Sequence, residues 1–306
     1  MFNFLRQAKQ QPLTGMWIDG ADANERLSRT ACSDIVRQAL SDLMTTGIAI
    51  IPQNLSGEAC DKILADFRAY CAEHPVHADF CDEHGLHDRL ANLPLYSAAA
   101  RQVALNRTVL EVVETAFGKP ADIVGSLYFE RGSGQNIHRD TPAFYTIPLN
   151  NYFGVWHALE DIHPDSGVLT YYEGGHHVAP DREYVGSNKM ESYFTEVESA
   201  CLSHGLPKRK VVAKKGDTII WHPELPHGGS EIIDKSKSRR SIVYHYKKTG
   251  LPIYGTAAFF GDQGRLSQKD KFRYKDIGGR KYVDHGEPKF FLNRKEGNFK
   301  EQIAKA

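Results

Sequence analysis

Between Ile123 and Lys247 the chain reads as one short strand-like segment after another, with turn residues between them. Such stretches fall near 124–130, 135–139, 144–147, 152–160, 167–172, 210–213, 217–222, 228–233 and 240–247. Many short strands at this spacing predict a barrel or a two-sheet jelly roll. What precedes the run has a helical period. Ser33 is placed to cap a helix reaching about Thr46, with Ile35, Val36, Leu40 and Leu43 at helical spacing. Gly47 ends it before a short apolar strand, Ile48–Ile51. Ser56 is placed to cap the next helix, where Cys60, Ile63, Leu64, Phe67 and Cys71 form one apolar stripe. Both cysteines are read as core packing. Two further helices are expected at about 96–105 and 107–117, whereas residues 1–27 carry no clear period and are expected to be an irregular lead-in.

Helices first and strands after predict a single domain of mixed, mainly β class. A helical layer over about 28–120 supports a β core over about 121–247. A polar insert over about 181–210, with a helix from Glu191 to Ser203, has the length of a lid or binding loop. A Gly- and Lys-rich extension over about 251–306, with aromatics such as Phe259, Phe272, Tyr282 and Phe290, is expected to wrap the core irregularly.

The chemistry-bearing stretch is Gln135-Asn-Ile-His-Arg-Asp140. His138 and Asp140 lie two apart, and on a strand such residues share a face. An imidazole beside a carboxylate suits a first-row metal, but two ligands hold it poorly. His227, in Trp221-His-Pro-Glu-Leu-Pro-His-Gly-Gly-Ser230, is taken as the third. Two imidazoles and one carboxylate on one face of an octahedron leave three positions open, the arrangement of non-haem Fe(II) oxygenases.

Lys plus Arg and Asp plus Glu both number 38 among 306 residues, so the charge balance argues for neither nucleic acid nor an anionic membrane. Five scattered cysteines with no C-x-x-C pair fit a reducing compartment. No long apolar segment leads the chain or spans a bilayer, and a cytoplasmic location is expected. His74, His77, His84 and His87 are irregularly spaced and broken by Pro75, so that tract reads as a surface loop bordering the site.

After the H-x-D pair come Trp156-His-Ala-Leu-Glu-Asp161, Ser166-Gly-Val-Leu169, Glu173-Gly-Gly-His176, Lys215-Gly-Asp-Thr218, His227 and Arg239-Arg-Ser-Ile242. Over about 120–247 this series resembles the phytanoyl-CoA dioxygenase (PhyH) family of Fe(II)/2-oxoglutarate oxygenases. The resemblance implies a double-stranded β-helix, a jelly-roll or cupin-like core. It implies His138, Asp140 and His227 as iron ligands, with 2-oxoglutarate and O2 as cosubstrates. Arg239 would clamp the distal carboxylate of 2-oxoglutarate, with Arg240 as competitor, and Trp156 would wall the cosubstrate. The family's H-G-S turn reads His227-Gly-Gly-Ser230 here, which leaves Ser230 and Ser241 as candidates for the assisting hydroxyl. Gln135 is within reach of cosubstrate or substrate. Because Asp140 occupies the position that related halogenases leave open, the resemblance implies hydroxylation or another oxidation of an unactivated C–H bond, with release of succinate and CO2, and not chlorination. The mixed charge and aromatics around the pocket, including Arg182, Tyr184, Tyr193, Phe194, Lys208 and Arg209, suit a polar small molecule. A non-oxygenase metal cupin would need the same ligands but not Arg239. A zinc hydrolase would need an acidic base such as Glu160 or Asp161 beside the metal. His157, His176, His177 and His222 are read as structural or solvated.

Overall fold

A computed structural model describes residues 15–74, 80–263 and 273–291. In its long strands, neighbouring side chains enter two different apolar environments. These strands are β3 (Ala121–Phe129), β4 (Tyr152–Ala158), β7 (Thr218–Trp221) and β9 (Ser241–Lys248). Phe129, Trp156, Ile219, Trp221 and Val243 pack on one side with Leu169 and Val211 of a second sheet. Phe153, Val155, Ile220, Ile242, Tyr244 and Tyr246 pack on the other side among helical residues. Both faces are therefore buried, which is why these strands read as nearly continuous apolar runs.

The large sheet runs β1 (Ile48–Ile51), β7, β4, β9, β3, each pair antiparallel. The second sheet places β5 (Leu169–Tyr172) between β6 (Lys208–Val211) and β8 (His227–Gly229). Two sheets sharing one apolar interior make the jelly-roll core expected from the strand spacing.

The outer face of the large sheet is covered by α1 (Ala23–Arg29), α2 (Asp34–Thr45), α3 (Gly57–Glu73), α4 (Ala98–Ala104) and α5 (Arg107–Phe117). Cys60 is fully buried and Cys71 packs against the same core. The Ser56 hydroxyl accepts the Ala59 N–H and closes the first turn of α3. Replacing Ser56 by Ala is expected to cost about 1 kcal/mol, read as a lower urea midpoint at unchanged slope. Ser33 holds the corresponding position before α2 but its side chain makes no cap bond.

Several sequence expectations are corrected. Residues 135–139 and 144–147 form no strand; they are loop and turn, and His138 contributes only an isolated bridge to His227. Ile35 is not on the buried stripe of its helix; it is 56% exposed while Val36, Leu40 and Leu43 are buried. The lead-in contains α1, too short to show a period. The extension is not purely irregular. It adds α7 (Thr256–Phe260), β10 (Tyr274–Asp276), β11 (Lys281–Val283) and β12 (Lys289–Phe291). β11 pairs with β3 in parallel, and β12 pairs with β2 (Arg89–Ala91), which itself pairs with β3. Three-residue strands leave too little pattern to read, and their pairing is decided by β3. His77 and Phe272 lie outside the described residues.

The insert after β5 carries α6 (Tyr193–Ser203), close to the helix expected there. Tyr184, Tyr193 and Val197 of the insert pack with Phe259 and Phe260 of α7. No helix among the described residues is long and apolar enough to cross a membrane.

Candidate metal centre

His227 opens β8, and Asp140 and His138 lie on the loop held against it. The His138 N–H donates to the His227 carbonyl (2.8 Å) and the His227 N–H returns the bond (2.9 Å). The Asp140 N–H donates to the Pro223 carbonyl at 3.2 Å. Backbone bonds to the 223–227 segment thus do what a strand was expected to do. Gly228 is required by the closeness of the two segments, since a Cβ there would lie 2.8 Å from the Gln135 carbonyl oxygen. Gln135 contributes that backbone contact, and its N–H donates to the Ser133 hydroxyl at 3.4 Å.

The side chains of His138, Asp140 and His227 converge, with one ligand atom from each within 4.8 Å of the others. His138 Nε2 is 3.8 Å from Asp140 Oδ1, and His227 Nε2 is 3.8 Å from Asp140 Oδ2. Each imidazole directs Nδ1 at a carbonyl two residues back, Asn136 at 2.8 Å and Leu225 at 2.9 Å. Both therefore carry the proton on Nδ1 and offer the Nε2 lone pair to the centre, the tautomer a metal requires. Burial, with His227 second, lowers the His138 pKa to about 4, so the ring is neutral at pH 7. Burial opposes ionisation of Asp140, yet His227, His138 and the Trp221 N–H outweigh it and hold its pKa below the usual carboxylate value. Two imidazoles and an ionised carboxylate are the donor set of a divalent first-row cation. Among the described residues no other three His, Cys, Asp or Glu side chains converge in this way.

Along the inner face of the large sheet lie Arg239 and Trp156. Arg239 immediately precedes β9, is only 4% exposed, and has no hydrogen-bond partner for its side chain among the described residues. Its guanidinium carbon stands 5.6 Å from the Phe129 ring centroid and 5.8 Å from that of Trp156. Burial, with Arg89 second, pushes its pKa down to about 10. Arg240 is committed elsewhere, with ion pairs to Glu130 (3.2 Å) and Glu160 (3.1 Å). The Ser241 hydroxyl is buried against the Arg239 carbonyl, whereas Ser230 is partly exposed on the far end of β8. Glu160 is occupied by Arg240, and Asp161 faces solvent with Lys215, so neither stands beside the triad as a hydrolytic base.

Three polar contributors escaped the sequence reading. The Trp221 indole N–H donates to Asp140 Oδ2 at 2.8 Å. His245 stacks with Tyr152 and meets the Phe144 ring at a tilt, and burial lowers its pKa to about 4 while Asp140 and His227 act on it in opposite directions. It follows Arg239 by six residues on a strand of period two, and that spacing could have found it. Arg139 is fully buried; it donates to the Gly175 (2.8 Å), Ala179 (2.6 Å) and Val178 carbonyls and pairs with Asp181 at 2.8 Å. Phe194 of α6 meets the His138 ring edge-on at 6.4 Å, which brings the insert to the metal side.

Three other histidines make side-chain hydrogen bonds within the fold. His157 bonds Thr218 at 2.8 Å, His222 bonds Asp19 at 2.9 Å, and His87 bonds Glu130 at 2.9 Å. His176, expected in a solvated turn, is buried beside His177, which is exposed. A cavity of about 340 Å³ is lined by Asp19, His176, His222 and Glu224 but by none of the triad.

The sequence pattern described as Phytanoyl-CoA dioxygenase (PhyH) matches residues 44–241. The peroxisomal phytanoyl-CoA dioxygenase of Rattus norvegicus is 25% identical over 169 residues, 48% of this chain and 48% of that protein. Phytanoyl-CoA dioxygenase domain-containing protein 1 of Danio rerio is 28% identical over 138 residues, 43% of this chain and 47% of that one. The chain thus spans about half the length of the curated relatives it matches. Among solved structures it resembles the non-heme alpha ketoglutarate dependent carbocyclase SnoK from nogalamycin biosynthesis, at TM-score 0.60 and 16% identity over 82% of this chain and 96% of that one. EctD from S. alaskensis, solved with 2-oxoglutarate and 5-hydroxyectoine, follows at TM-score 0.58 and 16% identity over 83% and 90%. Both show the same fold.

Proposed function

The chain belongs to the phytanoyl-CoA dioxygenase (PhyH) family, and on that premise we propose that it is an Fe(II)- and 2-oxoglutarate-dependent oxygenase that hydroxylates a C–H bond of a polar small molecule. The observation that carries the reading is the convergence of two Nε2 atoms and one carboxylate, in a fold that also buries Arg239 with no counter-ion among the described residues. His138, Asp140 and His227 would hold the iron and leave three exchangeable positions. The bound iron would supply oxidative decarboxylation of 2-oxoglutarate to succinate and CO2, coupled to oxidation of the substrate.

The chain's own residues do the rest. Arg239 offers a charge-assisted, two-pronged clamp to the distal carboxylate, in a site dry enough to make that pairing strong. Trp156 and Phe129 place their ring centroids 5.8 and 5.6 Å from the guanidinium carbon and help keep water from it. The Asp181–Lys210 insert, through Phe194, would close over the substrate. Hydroxylation is the reading for this chain, although relatives of the fold include a carbocyclase and an epimerase.

The test is anaerobic titration of the protein with Fe(II) and 2-oxoglutarate. A weak visible charge-transfer band is expected, and it should be lost in His227→Ala, which removes one of the three metal-ligand candidates. Succinate release then serves to screen substrates. If metal binds but no band forms with wild-type protein, the oxygenase reading fails and a metal cupin that does not use 2-oxoglutarate takes its place.

A further inference from the structure

We propose that Trp221 is a positioning residue that holds the Asp140 carboxylate so that Oδ1 is offered to the metal while Oδ2 is tied to the indole; the inference rests on the metal reading above. The two carboxylate oxygens are otherwise equivalent. Each stands 3.8 Å from one imidazole Nε2, so the triad alone does not decide whether the carboxylate binds through one oxygen or both. The indole breaks that symmetry. Trp221 Nε1–H donates to Oδ2 at 2.8 Å in a buried setting, where a hydrogen bond to an ionised group is strong. An oxygen that spends a lone pair on an N–H donor is a poorer metal ligand. One-point attachment of Asp140 would leave room at a bound metal that a carboxylate chelating through both oxygens would take up.

The indole is itself fixed. Trp221 pairs with Gly154 across β4 and β7, and a Cβ at 154 would meet three indole atoms at 2.4–2.6 Å. The ring occupies the space that a side chain at 154 would fill. It also packs against the His227 ring, centroid to centroid 4.9 Å. A glycine inside a central strand is unfavourable for the strand, so its presence here marks a close approach. The donor is therefore built into the sheet, 81 residues from the carboxylate it serves.

The experiment uses the full chain and Co(II) as probe, titrated anaerobically and followed by its visible bands, with thermal unfolding of metal-free protein recorded in parallel. Wild type is expected to bind one Co(II). Trp221→Phe keeps an aromatic ring but removes the donor. It is expected to bind Co(II) about 10–100-fold more weakly, the usual cost of losing an outer hydrogen bond to a metal ligand, and with shifted bands, because the carboxylate is free to turn. Gly154→Ala keeps the donor but displaces the ring, and its spectrum should move in the same direction. A tryptophan that only packs would lower the melting temperature of both variants and leave the Co(II) bands and affinity as in wild type, which would overturn the proposal. Failure of wild type to bind Co(II) would instead overturn the metal reading and the positioning role together.

Discussion

Arg239→Met is expected to weaken 2-oxoglutarate binding by about 1.5 to 3.5 orders of magnitude while making the metal-free protein more stable. The two effects have one cause. The guanidinium is buried with no anionic partner among the described residues, and burial pushes its pKa down to about 10. The fold thus bears the cost of a desolvated charge that only an incoming carboxylate offsets. Loss of one member of a buried, hydrogen-bonded charge pair costs about 2–5 kcal/mol of affinity, whereas an apolar side chain of similar length relieves about 1–3 kcal/mol in the empty site. Since the folded pKa is lowered but still far above neutrality, Arg239 is charged in both folded and unfolded chains from pH 6 to 8. The stability gain should accordingly be flat over that range. Calorimetric titration with 2-oxoglutarate and urea unfolding without it measure the two sides. Arg240→Met is the contrasting variant. It removes ion pairs to Glu130 and Glu160, so it should lose stability and keep the cosubstrate. Equal 2-oxoglutarate affinity in wild type and Arg239→Met would remove Arg239 from the site.

Arg139→Leu is expected to cost about 3–5 kcal/mol, the range for breaking a buried ion pair from one side. At roughly 2–4 °C per kcal/mol in a chain of this size, the melting temperature should fall by about 10 °C. Arg139 sits between two metal-ligand candidates in sequence, and its side chain ties that loop to the 175–181 segment through three carbonyls and Asp181. Its loss leaves the Asp181 carboxylate buried with the Tyr193 hydroxyl and the Glu224 carboxylate nearby and no cation to balance it among the described residues. The double variant Arg139→Leu, Asp181→Asn should therefore recover part of the loss, because the larger share of the cost is the orphaned carboxylate. Wild-type stability in the single variant would show that the network is dispensable.

The sequence alone determined the architecture and the ligand types. Apolar runs that alternate between two interiors could only become buried strands, and His138, Asp140 and His227 bring to one place a donor set whose chemistry is written in the residue types. The i, i+2 spacing of His138 and Asp140 predicted a shared face, and they do converge, but on a loop stitched to the 223–227 segment and not on a strand. Local periodicity does not distinguish those two ways of holding a pair. Short pairings were equally invisible, as with β10 to β12, where three residues give no period and the partner strand sets the register.

Only the tertiary structure decided which long-range partners each polar side chain finds. Adjacent arginines look alike in sequence, yet Glu130 and Glu160 claim Arg240 while Arg239 turns into the dry interior beside Trp156. Trp221 lies in an apolar strand whose sequence says nothing of Asp140, and only the packed structure puts its N–H on that carboxylate. Pattern along a chain reports which face is buried, because burial is set by the strand's own alternation. It does not report which donor meets which acceptor, because that depends on where segments many residues away are packed.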